Sequence, residues 1–324
     1  MPNTYIKPEK YVALALASLE KKTILPMAFT KVDGTVFKGA RDDQLTVFRT
    51  PGITRARDYE WRTRTNPIVL DRIARSETTI KMNDHIYNAI PITDEELSLD
   101  VTNFNAEILD PQMTAVAERA EGKVWNALKN NNGFKRTDLE VSEGERVLSE
   151  LLKIKSVLDA QGTPKANRRL IVGEAMARWI ALSDDLQKYD PNQATTTFRQ
   201  ATLGRIADFE IIEFSGIEDN SFYAVHQSAL VFANMAPASP EGATYSHRQS
   251  YNGWALRVLR DYDPNFLRDR SIVSMFGGTA PVKDELKMEK DDLGIWVPAL
   301  DAEGEPEYTE FNVRGASGSF VPTA

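Results

Sequence analysis

Apolar residues recur at steps of three and four between positions 113 and 128: Met113, Val116, Ala117, Ala120, Val124 and Leu128. That spacing puts them on one face of an α-helix. Asp110 and Pro111 precede the run, an N-cap residue followed by a proline suited to the first helical turn. Asn130-Asn131-Asn132-Gly133 ends it, as Asn and Gly do at helix C-termini. With residues 103–109 as an N-terminal extension bent at Pro111, the pattern predicts a helix of roughly 20–30 residues, about 30–45 Å long. A helix of that length acts as a spine across a domain.

Elsewhere the period changes. Tyr11 to Leu19 is a short run of helix formers, preceded by the extended Tyr5-Ile6-Lys7-Pro8 and followed by Lys21-Lys22 and Pro26, which reads as an arm with one short helix. In residues 41–82, Thr46-Val47-Phe48 and Trp61-Arg62-Thr63-Arg64-Thr65 alternate at period two, a strand signal. Pro51-Gly52 marks a turn between them. Few of these residues can form a core, so they read either as a ribbon projecting from the body or as an edge hairpin of the same domain. A lone hairpin is marginal in water, so a projecting ribbon needs a surface to lie on. Residues 86–92 alternate weakly, and Asp94-Glu95-Glu96 follows.

Residues 143–236 mix the two periods. Glu145 to Leu158 is an amphipathic helix, Arg168 to Gly173 a short buried strand, and Glu174 to Leu182 a helix. Ile206 to Phe214 and Ser221 to His226 read as strands and Gln227 to Met235 as a helix. Strands follow at 254–261 and 270–277. After Lys283 the chain turns polar, and Gly315 to Ser319 reads as a flexible tail. Strands alternating with helices predict an α+β or α/β layer.

Composition narrows the function classes. The 324 residues are 42% hydrophobic and 27% charged, ordinary for a globular chain. With no cysteine, disulfides, thiolate nucleophiles and cysteine metal sites are excluded; the composition fits assembly in a reducing cytoplasm. A net charge of −8 disfavours a dedicated nucleic-acid binder. No apolar stretch reaches the roughly 18 residues of a membrane span, and the N-terminus lacks the plan of a secretory signal.

Catalytic patterns do not emerge. There is no Gly-rich phosphate loop, paired-histidine zinc helix or calcium loop, so neither a cofactor nor a metal is expected. Ser317, in Gly-Ala-Ser-Gly-Ser, lacks the glycine spacing of a nucleophile elbow. His85 and His226 sit among apolar neighbours in strands, which suits core or interface histidines. The acidic doublets Asp42-Asp43, Glu95-Glu96, Asp184-Asp185 and Asp291-Asp292 fit solvated faces, because acid–base pairs need two different environments in one cleft.

Charge layout says more. Residues 1–82 are net positive, with arginines at 41, 49, 55, 57, 62, 64, 72 and 75, whereas residues 84–150 carry an acidic excess. Arginine's planar fork binds carboxylates bidentately. The two regions pair either between copies, head to tail, which builds rings or open lattices, or within one chain.

The order of elements resembles the major capsid proteins of tailed bacteriophages, which have the Hong Kong 97-type shell fold: basic N-arm, ribbon, acidic strand segment, spine helix, mixed unit, late strands. Arg168-Arg169-Leu170-Ile171-Val172-Gly173-Glu174-Ala175 is similar to that family's strand-to-helix passage into its axial domain. Thr202 to Ser215 is similar to its "G-x-I/L-x-G-F/Y-x-V" segment, with Asp208 where a glycine is usual. Tyr223 to Ala233 resembles the segment that follows. Ala255 to Asp263 and Phe276-Gly277-Gly278 resemble the return to the peripheral domain. The resemblance covers about residues 1–285.

It implies an α+β chain with an N-arm (1–40), an extended loop (41–82), a peripheral domain with the spine helix (83–142 and 251–285), an axial domain (143–250) and a C-terminal extension (286–324), an added strand pair or a surface embellishment. The implied function is a non-enzymatic subunit that assembles as pentamers and hexamers into an icosahedral head, in the host cytoplasm, around double-stranded DNA contacted non-specifically. Implied partners are a portal protein and a separate scaffolding protein, since no long charged helical segment precedes the arm; no membrane is involved. The expected intersubunit contacts run from Arg49, Arg55, Arg57, Trp61, Arg62 and Arg64 of the loop to Glu95, Glu96, Glu107, Glu118 and Glu121 of the acidic face. Covalent lysine–asparagine crosslinking, found in some relatives, is not expected: the ribbon offers arginines, with Lys81 at its base. An encapsulin-like cargo compartment is the nearest alternative. A cytosolic α+β enzyme with an acidic cleft is the alternative of a different class.

Overall fold

The computed structural model describes residues 8–33, 44–49, 56, 58, 67–68, 76–96, 104–131, 134–141, 147–181, 202–243, 245–282, 287–291, 294, 296–300, 302, 307 and 314–322. In chain order the elements are α1 (Pro8–Lys22), β1 (Thr30–Asp33), β2 (Gln44–Arg49), β3 (Ser76–Lys81), β4 (Asp84–Thr93), α2 (Asp110–Lys129), β5 (Lys135–Arg136), β6 (Leu139–Val141), α3 (Val147–Ala160), β7 (Arg168–Val172), α4 (Glu174–Ala181), β8 (Thr202–Ile206), β9 (Phe209–Glu213), β10 (Ser221–His226), β11 (Leu230–Met235), β12 (Tyr245–Tyr251), β13 (Trp254–Asp263), β14 (Arg268–Pro281), β15 (Met288–Lys290), β16 (Trp296–Pro298) and β17 (Gly315–Pro322). They fall into two compact units. One comprises Met1–Leu45, Thr79–Asn130 and Leu230–Pro281, and the other Thr46–Thr78, Asn131–Ala229 and Val282–Ala324. β2 and β3 pair as a two-stranded ribbon.

The first unit is a sheet in the order β1-β11-β14-β13-β12, with β4 also paired to β14. Helix α2 packs on β14 and β4, and its predicted face is the buried one: Met113, Val116, Ala117, Ala120, Val124 and Leu128 are all at most 1% exposed. The helix ends at Lys129, as the asparagine run predicts. Its start differs. A π-helical turn, Asn105–Leu109, leads into it, so Asp110 is not an N-cap. Pro111 has no N–H to donate back into that turn, and a wider turn accommodates it. The Asp110 carboxylate instead accepts from Ser18 Oγ and Lys22 Nζ, both at 2.8 Å.

The expected N-arm is partly core. Val12, Ala15, Leu16 and Leu19 of α1 are at most 2% exposed, because α1 packs on α2, β12 and β13. Strand β1 then joins the sheet parallel to β11. Residues 230–235, expected as the end of a helix, form strand β11. It lies between β1 and β14 and is buried along most of its length, hence the continuous apolar run. β11 and β12 belong to this unit and not to the axial segment predicted for 143–250.

The second unit holds a sheet in the order β5-β17-β10-β7-β9-β8, with β6 also paired to β17. Leu151, Ile154 and Leu158 of α3 and Met176 and Ile180 of α4 share one apolar cluster with Leu170, Phe209 and Phe222 of the sheet. The largest correction is the expected flexible tail. Residues 315–322 are strand β17, inside the sheet between β10 and β5/β6. Its glycines are there for close packing: a Cβ on Gly318 would overlap the backbone oxygen of Thr137, and one on Gly315 the ring of Phe134. Residues 131–141 also belong to this unit and not with the spine helix.

Candidate assembly interface

Of the loop residues expected at the interface, Arg49 ends β2. Arg55, Arg57, Trp61, Arg62 and Arg64 lie outside the described residues.

The acidic set divides by what its carboxylates do. Glu95 and Glu96 are exposed just after β4. Glu96 forms a capping box with Thr93: its Oε2 accepts from Thr93 N–H at 2.9 Å, and its own N–H donates to Thr93 Oγ1 at 3.2 Å, the reciprocal arrangement that starts a helical turn. Glu107 is exposed on the π-helical turn and Glu118 is exposed on α2.

Glu121 is a correction. Its Oε1 accepts from the N–H groups of Ile24 and Leu25, where a short 3-10 helix, Leu25–Ala28, begins. Those N–H groups need an acceptor because a helix start leaves its donors unpaired. Burial pushes the Glu121 carboxyl pKa up, against the two backbone hydrogen bonds that pull it down.

Other acids of the 84–150 stretch are also engaged inside their own unit. Asp84 pairs with Lys123. Asp110, held below the usual carboxylate range by its hydrogen bonds from Lys22 and then Ser18, ties α1 to α2. Asp138 accepts from Ser319 N–H at 2.9 Å, Ser319 Oγ at 2.8 Å and Arg136 Nε at 3.1 Å. The Ser319 bonds, ahead of Arg136, bring its pKa down to about 2. Of these ion pairs, Asp110–Lys22 joins the basic 1–82 region to the acidic stretch within one chain, whereas Asp84 and Asp138 pair with Lys123 and Arg136 of the acidic stretch itself.

Sequence reading missed the tip of the β13–β14 hairpin. Tyr262, Phe266 and Leu267 are 45%, 66% and 63% exposed, large apolar side chains grouped at one turn. The turn is held firmly. Asn265 N–H donates to Asp263 Oδ1 at 3.2 Å, and the Arg268 guanidinium lies 4.6 Å from the Phe266 ring centroid. Arg260 Nε bonds Asp269 Oδ2 at 2.9 Å, and Arg270 Nη2 bonds Asp261 Oδ2 at 2.6 Å. Leu267 has φ 48°, a left-handed conformation that costs a non-glycine residue about 1–2 kcal/mol. Grouped exposed apolar side chains mark contact surfaces. No sequence signal marked these, since Pro264-Asn265 reads only as a turn.

The histidines show local roles. His85 stacks obliquely on Phe276, with ring centroids 4.7 Å apart. His226 Nδ1 accepts from Ser228 N–H at 3.2 Å and lies 2.6 Å from Ser228 Oγ. Among the described residues, no group of three or more His, Cys, Asp or Glu could hold a metal ion.

No protein-family profile matches the sequence, and no curated protein sequence does. Solved structures do match in fold. A chain of Mycobacterium phage Che8 aligns with TM-score 0.57 at 14% identity, over 91% of this chain and 90% of that one. A chain in the capsid structure of the cyanophage P-SCSP1u aligns with TM-score 0.56 at 8% identity, over 94% and 89%. A chain of the bacteriophage PhiM1 mature capsid aligns with TM-score 0.53 at 10% identity, over 93% and 88%. The chain therefore has the α+β Hong Kong 97-type shell fold, as the order of its elements implied.

Proposed function

We propose that this chain is the major capsid protein of a tailed bacteriophage, a structural subunit whose copies close into an icosahedral head around double-stranded DNA. The observation that carries the proposal is that the shell fold accounts for more than nine-tenths of the chain, and for about nine-tenths of capsid chains in two phages. Two features of the surface support it. The β13–β14 tip offers apolar side chains to another protein, and Glu95, Glu96, Glu107 and Glu118 lie at the surface. In this reading these four carboxylates receive the loop arginines Arg49, Arg55, Arg57, Arg62 and Arg64 of an adjacent copy, with Trp61 packing beside them. Pentamers and hexamers form on a separate scaffolding protein, a portal protein occupies one vertex, and assembly takes place in the host cytoplasm.

The test is co-expression with a candidate scaffold, followed by sedimentation and nuclease treatment. The proposal expects large particles that protect double-stranded DNA after packaging. Particles that instead retain a protein cargo and no nucleic acid would support a compartment shell. A small soluble oligomer under every condition would overturn both.

A further inference from the structure

We infer that folding of this chain does not need the acidic stretch 283–313, and that its charge supplies electrostatic repulsion between copies of this chain. Three observations combine. The first is where the segment leaves and returns. Val282 N–H donates to Ala229 O at 3.0 Å, and His226 N–H donates to Arg314 O at 2.9 Å. Residues 226 and 229 are three steps apart, on the order of 10 Å of backbone. The excursion therefore starts and finishes at nearly one place, the geometry in which insertions are tolerated.

The second observation is that the segment carries its own ladder. β15 pairs antiparallel with β16 in the register Met288↔Pro298, Glu289↔Val297 and Lys290↔Trp296. Ala299 N–H donates to Lys287 O at 2.9 Å, Lys287 N–H to Glu307 O at 2.9 Å, and Glu307 N–H to Ala299 O at 2.8 Å. The Lys287 ammonium bonds both carboxylate oxygens of Glu307, at 2.8 and 2.9 Å. Val297 and Ala299 are buried, at 3% and 2% exposure.

The third is charge. Residues 283–313 hold ten carboxylates and three lysines, a net −7 out of the whole chain's −8. The rest of the chain is close to neutral, a state in which proteins associate readily; net charge far from zero keeps them apart. The strand that follows this stretch, β17, is part of the sheet. The acidic stretch thus precedes a structural strand in the sequence.

The experiment uses two full-length variants. One replaces residues 284–312 with a short Gly/Ser linker. The other keeps the ladder, including Lys287 and Glu307, and neutralises six carboxylates: Asp284→Asn, Glu285→Gln, Asp292→Asn, Asp301→Asn, Glu303→Gln and Glu305→Gln. The readouts are circular dichroism, thermal unfolding and the osmotic second virial coefficient of the unassembled protein by light scattering. Ionic strength is varied from about 0.01 M to about 0.15 M, over which the screening length falls from ~30 to ~8 Å. The expected result is a positive virial coefficient for the unaltered chain at low salt that falls as salt rises. Both variants are expected to keep the fold and to lose most of that salt dependence. Unfolding of the linker variant together with normal folding of the neutralised one would overturn dispensability. A neutralised variant with the full salt dependence would overturn the electrostatic role. Neither readout requires a shell, so failure here and failure of the capsid proposal are separate outcomes.

Discussion

Lys155 Nζ lies 2.6 Å from Asp208 Oδ2, an ion pair that ties helix α3 to the β8–β9 turn. The turn is unusual. Ala207 and Asp208 have φ of 50° and 72°, left-handed values that favour glycine. Lys155 holds Asp208 in place, and its hydrogen bond keeps the Asp208 carboxyl below its ordinary pKa. Ala207→Gly should relieve about 1 kcal/mol of backbone strain, partly offset by glycine's unfolded-state entropy. The thermal unfolding midpoint should therefore rise slightly. Asp208→Val, a β-branched residue in the same conformation without the ion pair, should lower it.

Strand β17 makes an opposite-signed pair of glycine predictions. Gly318→Ala forces a methyl group into Thr137 O and the Phe222 ring, and overpacking of this kind costs about 1–3 kcal/mol or more. Gly122 in α2 has no atom within 4 Å of its would-be Cβ. Gly122→Ala should add about 0.5–1 kcal/mol from helix propensity. Chemical denaturation of the two variants measures both. A tolerant Gly318→Ala would mean that β17 is not seated in the sheet.

Asp138 should make stability fall in acid. Its folded pKa of about 2 is below the ordinary 3.8, so its contribution is complete above about pH 4 and is lost as the carboxylate protonates between those values. The group is 45% exposed, so solvent screening keeps the effect small. Asp138→Asn should flatten the stability curve between pH 2 and 4, as followed by urea unfolding at each pH.

Glu121 has the reverse sign. Burial raises its folded pKa above 4.5, so the folded state holds its proton more tightly, and stability declines as pH rises through that window. Glu121→Gln keeps an oxygen for the Ile24 and Leu25 N–H groups and removes the charge. It should be at least as stable at pH 7 and lack the decline. Glu121→Ala leaves buried donors unpaired and should cost about 1–3 kcal/mol. Equal behaviour of the two variants in denaturant would contradict the capping role.

The spine helix was legible because its burial is one-sided, and a 3.6-residue period writes one-sided burial into the sequence. β11 was not, because Leu230 to Ala233 are buried on a strand inside the sheet, and a continuous apolar run fits helix or strand equally. β17 was hidden for a different reason. Its glycines look like flexibility locally, while the cause is the nearness of Phe134 and Thr137, visible only when the chain is folded. Polarity concealed edge strand β12, whose Tyr245–Tyr251 side chains are half-buried or exposed. In the candidate interface, the acidic stretch was visible as composition. Which acids remain outward was not, since Glu121 and Glu118 differ only by their place on the helix.

Electron microscopy of the purified protein, expressed alone and with a candidate scaffold, tests the central claim most directly. The account predicts closed icosahedral shells, or rings of five and six subunits as their precursors. A uniform small oligomer that forms neither under any condition would contradict it.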